Sequence, residues 1–249
     1  MLVKIDYLIR KYRLKVTGIL HLGAHECEEA LDYSKSGIDN VTWVEANPVL
    51  FKKIKQKWAS NEKYTFIEAA IFDVNGKELQ FNISNNTQAS SLLEFDKHSQ
   101  YHPDMVMTQT ITVQTQTLDK LNETYHFDSK KCNFLNIDLQ GVELNALKGF
   151  ENGLNFIDYI FTEVNFEPLY KGCALIGEID DFLKQKGFQR VLTVKTEQNF
   201  GDALYIKNAN SKYLPGIVLS YDDAMLLRKG FWSKVWRKIK SNAFPKRQK

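Results

Sequence analysis

Residues 18–48 read GILHLGAHECEEALDYSKSGIDNVTWVEANP. Ile19 to Leu22 form a short apolar run that ends at Gly23-Ala24. His25 to Ser36 has the pattern of a helix, and Gly37 stops it. Val41 to Val44 is the next apolar run, and Glu45 follows about 20 residues after the glycine turn. Strand, tight turn, helix, strand and terminal carboxylate make up one nucleotide-binding βαβ half. A small residue lets a cofactor approach the first turn, and the acid accepts the ribose hydroxyls.

The turn itself departs from the dinucleotide pattern. Of the three glycines of G-x-G-x-x-G only Gly23 is present, and Glu26, Glu28 and Glu29 crowd the helix start. Negative charge there opposes a phosphate. A cofactor with adenosine but without phosphate fits better, and S-adenosylmethionine, whose sulfonium is cationic, is the candidate. An ordinary βαβ unit with a surface Glu45 is the alternative.

With 249 residues, 43% hydrophobic and 25% charged, the chain has the size and composition of one α/β domain with a full core. No apolar run approaches the roughly 20 residues of a membrane span. Residues 1–16 read as an amphipathic leading helix, not a secretory signal. Cys27, Cys132 and Cys173 are far apart and suggest neither zinc nor a disulfide scaffold, so a cytoplasmic location is expected. Residues 228–249 hold nine Lys or Arg and no acid, leaving the rest at −6 within a chain of net charge +3. An acidic body with a basic tail is poorly suited to nucleic acid. In the tail, Phe231, Trp232, Val235, Trp236 and Ile239 share a helical face. Peripheral docking on the inner face of a membrane, or in a partner's groove, is expected there.

Further strands are expected at Tyr64–Ala69, Lys77–Ile83, Thr110–Gln116, Phe134–Ile137, Ile157–Phe161, Phe188–Val194 and Ala203–Ile206. Helices are expected at Pro48–Ala59, Leu118–Leu121, from Gly141 onward and at Ile176–Lys186. This alternation predicts a mostly parallel sheet covered on both faces. Residues 84–109 form a polar, irregular loop, a length that points to function or disorder.

The stretch NIDLQGVELNALKG, Asn136 to Gly149, resembles the D-x-Q-G-x-E signature of FkbM-type S-adenosylmethionine-dependent methyltransferases. HLGAH, WVEANP, EAAIFDVNGKELQF, TLDKL and EVNFEPLYKG accompany it in order, so the resemblance covers roughly residues 17–207. Many relatives carry Gly at the position of Cys27 and Asp at that of His21. The resemblance implies a Rossmann-like, seven-stranded sheet with an antiparallel last strand. It also implies O-methylation of a small molecule or of a sugar in a surface glycan. The expected division is a leading helix over 1–16, the methyltransferase domain over 17–209 and the basic tail over 210–249.

Methyl transfer from a sulfonium needs positioning and a base, and ligands of open α/β sheets bind at the carboxyl ends of strands. Gly23, Ala24 and His25 are therefore expected against the donor's methionine and ribose, and Glu45 on the ribose hydroxyls. Asn47, Ala70 and Ile71 are expected around the adenine. Asp138, Glu163 and Asn165 are the catalytic candidates, Asp138 also as a donor contact. Each carboxylate has a structural reading too, Asp138 as a helix cap and Glu163 as a hydrogen-bonded acid. Gln140 and Glu143 are expected to fix the turn. Ser90, Ser91, His98, His102 and, in the 164–175 loop, Tyr170 are the acceptor candidates. His98 and His102 have the spacing of two metal ligands, but no third ligand is evident and no metal is assigned. His21 reads as a satisfied core histidine. Competing readings are a methyltransferase for another small molecule, lipid, RNA or amine, a non-catalytic cofactor-binding adaptor, and an NAD oxidoreductase that lacks its glycines.

Overall fold

The computed structural model describes residues 1–208 and 217–228. In chain order the elements are α1 (Ile5–Tyr12), β1 (Ile19–Leu22), α2 (Ala30–Lys35), β2 (Val41–Glu45), α3 (Pro48–Lys57), β3 (Tyr64–Glu68), β4 (Ala70–Ile71) and β5 (Glu78–Ser84). There follow α4 (His98–Tyr101), β6 (Met107–Gln116), α5 (Leu118–Tyr125), β7 (Phe134–Ile137), α6 (Glu143–Lys148) and β8 (Tyr159–Asn165). The described chain closes with α7 (Ile176–Gln185), β9 (Phe188–Lys195), β10 (Phe200–Lys207), β11 (Ile217–Ser220) and α8 (Tyr221–Arg228).

The main sheet has the order β11-β9-β10-β8-β7-β1-β2-β3. β10 runs antiparallel to both of its neighbours and the other pairs are parallel. The expected seven strands with an antiparallel last member are β3, β2, β1, β7, β8, β10 and β9. The edge strand β11 is an eighth, drawn from the stretch expected to be tail. β4, β6 and β5 form a second sheet of three strands.

Strand alternation assigns the faces. Ile19 and Phe134 join a core with Leu8, Ile54 and Trp43, beneath α1, α2 and α3. Leu20, Leu22, Leu135 and Ile137 join the opposite core with Leu118, Leu147 and Leu183, beneath α5, α6 and α7. Each core residue on a strand buried to this depth contributes roughly 1.5–3 kcal/mol. The leading helix is therefore part of the core: Ile5, Tyr7, Leu8 and Tyr12 are all buried.

Two expectations about local structure are corrected. The helix after the glycine turn begins at Ala30, not His25. His25 and Cys27 sit at φ +45° and +58°, outside the helical region, and the chain makes two tight turns first. Ile157–Phe161 is shifted: the strand runs Tyr159–Asn165, so Glu163 and Asn165 are its last turns of pleat and not a following loop. α3 is signalled as expected at its start. Asn47 Oδ1 accepts from the Val49 and Leu50 N–H groups, with Pro48 at the first helical position.

No helix among the described residues is long and apolar enough to cross a membrane. The aromatic-basic face expected at Phe231–Ile239 lies outside the described residues.

Candidate active site

A cavity of about 450 Å³ opens at the carboxyl ends of β1, β2, β7 and β8. Its floor begins at Gly23. The glycine has φ +80°, and a Cβ there would lie 1.9 Å from the Asp138 carbonyl oxygen. The glycine is thus required by the close approach of the β7 end, a reason beyond the expected approach of a cofactor.

Glu45 is buried at the end of β2. Its Oε2 accepts the His25 N–H and its Oε1 the Asn47 N–H, both at 2.8 Å. Two backbone donors thus fix the carboxylate plane, and each oxygen keeps a second lone pair for a ligand. Burial outweighs these bonds and raises its pKa above the ordinary value. The His25 ring reaches Glu28 Oε1 through Nδ1 at 2.6 Å and Thr87 Oγ1 through Nε2 at 2.8 Å. Burial opposes charge on this pair, yet hydrogen bonding holds His25 above its usual pKa and Glu28 down to about 2.

At the ends of β7 and β8 one side chain ties two acids. Gln140 Nε2 donates to Asp138 Oδ1 and to Glu163 Oε2, each at 2.6 Å, while Tyr170 OH donates to Gln140 Oε1 at 2.5 Å. Gln140 holds φ +55° to do this. Glu143 accepts the Leu139 and Gly141 N–H groups and closes the turn, as expected of it. Burial, then the Asp138 charge, push Glu163 well above the carboxylate range. Burial likewise lifts Glu143 to about 7 and Asp202, opposite Glu163 on β10, to about 6.

Gly23, His25, Glu45, Asn47, Ser90, His98, His102, Asp138, Glu163 and Tyr170 all line the cavity. Ala24, Ala70, Ile71, Ser91 and Asn165 do not. Ala70 and Ile71 pair with β6 in the second sheet, and Ser91 Oγ donates to the Gln140 carbonyl at 2.7 Å. Asn165 is wholly buried, and neither of its amide atoms has a partner among the described residues. His21 is buried against Tyr33 OH at 3.0 Å and Asn136 Nδ2 at 3.1 Å, so it is satisfied although it touches the cavity. Burial lowers its pKa.

Glu28, Glu29, Thr87, Gln88 and Phe200 also line the cavity, and the sequence did not mark them as contacts. The three acids after Gly23 were the available signal for the first two. Glu28, Glu29, Glu45, Asp138 and Glu163 give five carboxyl groups, Glu163 with its charge suppressed by burial, and no Lys or Arg lies among the described lining residues. Met1 reaches the same wall, its nitrogen 3.4 Å from Glu29 Oε1. Such a wall suits a ligand carrying positive charge and no phosphate. Among the described residues no group of three His, Cys, Asp or Glu is placed to hold a metal ion.

Residues 21–190 match the family model described as the methyltransferase FkbM domain. No curated protein sequence matches significantly. Among solved structures, a TehB-like SAM-dependent methyltransferase from Corynebacterium glutamicum is 11% identical, covering 81% of this chain and 86% of that one, with a TM-score of 0.43. Magnesium protoporphyrin IX methyltransferase from Synechocystis PCC 6803, with bound SAM, is 10% identical over 82% and 76%, at 0.47. A caffeoyl-CoA O-methyltransferase assignment from Staphylococcus aureus is 15% identical over 82% and 80%, at 0.45. Likenesses at this level carry no argument about chemistry, and the fold stands on the strand order above.

Proposed function

The chain belongs to the FkbM methyltransferase domain family, and we propose that it methylates a hydroxyl oxygen of an uncharged acceptor, a sugar of a glycan or surface polysaccharide. Its cofactor is S-adenosylmethionine, which supplies an activated methyl group on a positively charged sulfur. The observation that carries the reading is the wall of five carboxyl groups without Lys or Arg among the described lining residues. It attracts a cationic donor and repels phosphorylated or polyanionic acceptors such as RNA.

In this reading Glu45 accepts the ribose hydroxyls, and Gly23 and His25 shape the adjoining turn. Asn47 and Leu50 border the adenine. Asp138 and Glu163, held together by Gln140, face the positive end of the donor and orient it. Asn86, Thr87, Gln88 and Ser90 offer uncharged donors and acceptors to the hydroxyls of a sugar, with Phe81, Leu169 and Phe200 as apolar surface.

Incubation with methyl-labelled S-adenosylmethionine and a panel of oligosaccharides, followed by mass spectrometry, tests this. Label on a sugar hydroxyl is the expected result. Label confined to amines, lipids or RNA contradicts it.

A further inference from the structure

We propose that His98 is the general base of this reaction, its Nε2 taking the proton of the acceptor hydroxyl. The assignment rests on the hydroxyl-methylation reading above and deepens it.

The placement of His98 is over-determined. The Asp96 and His98 N–H groups donate to the Leu169 carbonyl at 2.8 and 3.1 Å, and the Lys97 N–H to that of Pro168 at 3.2 Å. The 95–98 segment is thereby pinned to the loop after β8. The His98 ring stacks on Phe95, with centroids 4.3 Å apart and planes 8° from parallel. Tyr170 and His102 lie against it at 5.5 and 5.0 Å. His98 is 8% exposed and lines the cavity that also holds Asp138 and Glu163.

Its hydrogen bonding is the unusual part. A buried imidazole normally finds partners, as His21 does with Tyr33 and Asn136. His98 has none among the described residues, and Nδ1 is fully enclosed. The nitrogen left to meet a ligand is Nε2. The other candidate bases are engaged: His25 by Glu28 and Thr87, Asp138 and Glu163 by Gln140. His102 lines the cavity without a stacked partner plane and is more exposed.

The charge state agrees. Burial, with the nearby His102, holds His98 down to about 4, so the ring is neutral at physiological pH. The titratable neighbours packed against it are His102 and Tyr170, and Tyr170 leads through Gln140 to the two carboxylates. A weak base is sufficient. The acceptor oxygen gains positive charge as its bond to the methyl carbon forms and the carbon–sulfur bond breaks. The pair of that broken bond stays on sulfur, leaving a thioether, and the acidified hydroxyl proton passes to Nε2 and then to water.

The test uses the full chain with S-adenosylmethionine and a panel of methyl glycosides. Turnover is followed by release of S-adenosylhomocysteine, and affinity for that product by calorimetry. His98→Gln is expected to lower kcat by 100-fold or more, the usual weight of a general base, with product affinity within about twofold of the parent. His102→Gln is expected to lose less. Added imidazole should restore part of the turnover of His98→Gly. Independently of activity, nitrogen NMR should find the His98 ring neutral at pH 6 with its proton on Nδ1. Retained kcat in His98→Gln, a larger loss in His102→Gln, or a proton on Nε2 would each overturn the assignment. If His98→Gln loses product binding too, the NMR state of the parent ring decides. A parent chain that binds S-adenosylhomocysteine but methylates no glycoside would instead remove the hydroxyl-acceptor reading, and the base with it.

Discussion

At the ends of β1 and β2 the cavity wall is backbone held by a carboxylate, whereas across from it the wall is a set of rings held by one another. Glu45 gathers the N–H groups of His25 and Asn47, over a glycine that only a bare Cα can supply. Opposite, Phe95, His98 and Tyr170 pack ring on ring, and His98 leaves its hydrogen-bonding capacity unused. The first construction leaves little freedom in the shape presented to a ligand, as a fixed cofactor requires. The second can change its side chains without moving the sheet, which suits the acceptor side of the proposed reaction.

The contrast is broken most severely at Gly23. Gly23→Ala puts a methyl group against the Asp138 carbonyl at a φ that disfavours it. A loss of more than about 3 kcal/mol in stability is expected, read as a fall in melting temperature. Next is Glu45→Ala, which strands the His25 and Asn47 N–H groups and removes the proposed ribose acceptor. Product affinity measured by calorimetry should fall about 100-fold, near 3 kcal/mol, while the ring wall and the fold persist.

Smaller is the effect of Glu163→Gln. Burial and Asp138 raise the folded-state pKa of Glu163, so the native state binds more protons than the unfolded one. Stability then falls as pH rises from the ordinary carboxylate value through the raised one. Glu163→Gln should flatten that slope in melting curves taken upward from the ordinary carboxylate value. A gain in stability over the parent is expected at the upper end of that range. Thr87→Val, which cuts the bond between the His25 ring and Thr87 Oγ1, should weaken product binding only a few-fold, about 1 kcal/mol.

The wall at the ends of β1 and β2 was the more legible in sequence. A glycine turn and an acid about 20 residues later are local signals, and both residues line the cavity. The start of α2 was not legible, because apolar spacing carries no information about φ and so hid the turns at His25 and Cys27. Ala70 and Ile71 lie off the cavity lining for a related reason. Their pairing partners, Thr115 and Gln116, lie over 40 residues away in a second sheet that alternation alone does not separate from the first. The ring wall depends on contacts between 95–102 and 166–170, which no local pattern encodes. The Gln140 bridge depends on a single positive-φ residue reaching β8. Composition did mark the charge of the site, since the acids that crowd residues 26–29 include two that line it.

The most direct test of the donor clasp is a crystal structure of the chain with S-adenosylhomocysteine. Both ribose hydroxyls should lie within about 2.6–3.0 Å of the Glu45 carboxylate oxygens, with the sulfur toward Asp138 and Glu163. A product molecule bound with its ribose away from Glu45, and the carboxylate facing only its own backbone, would contradict the account.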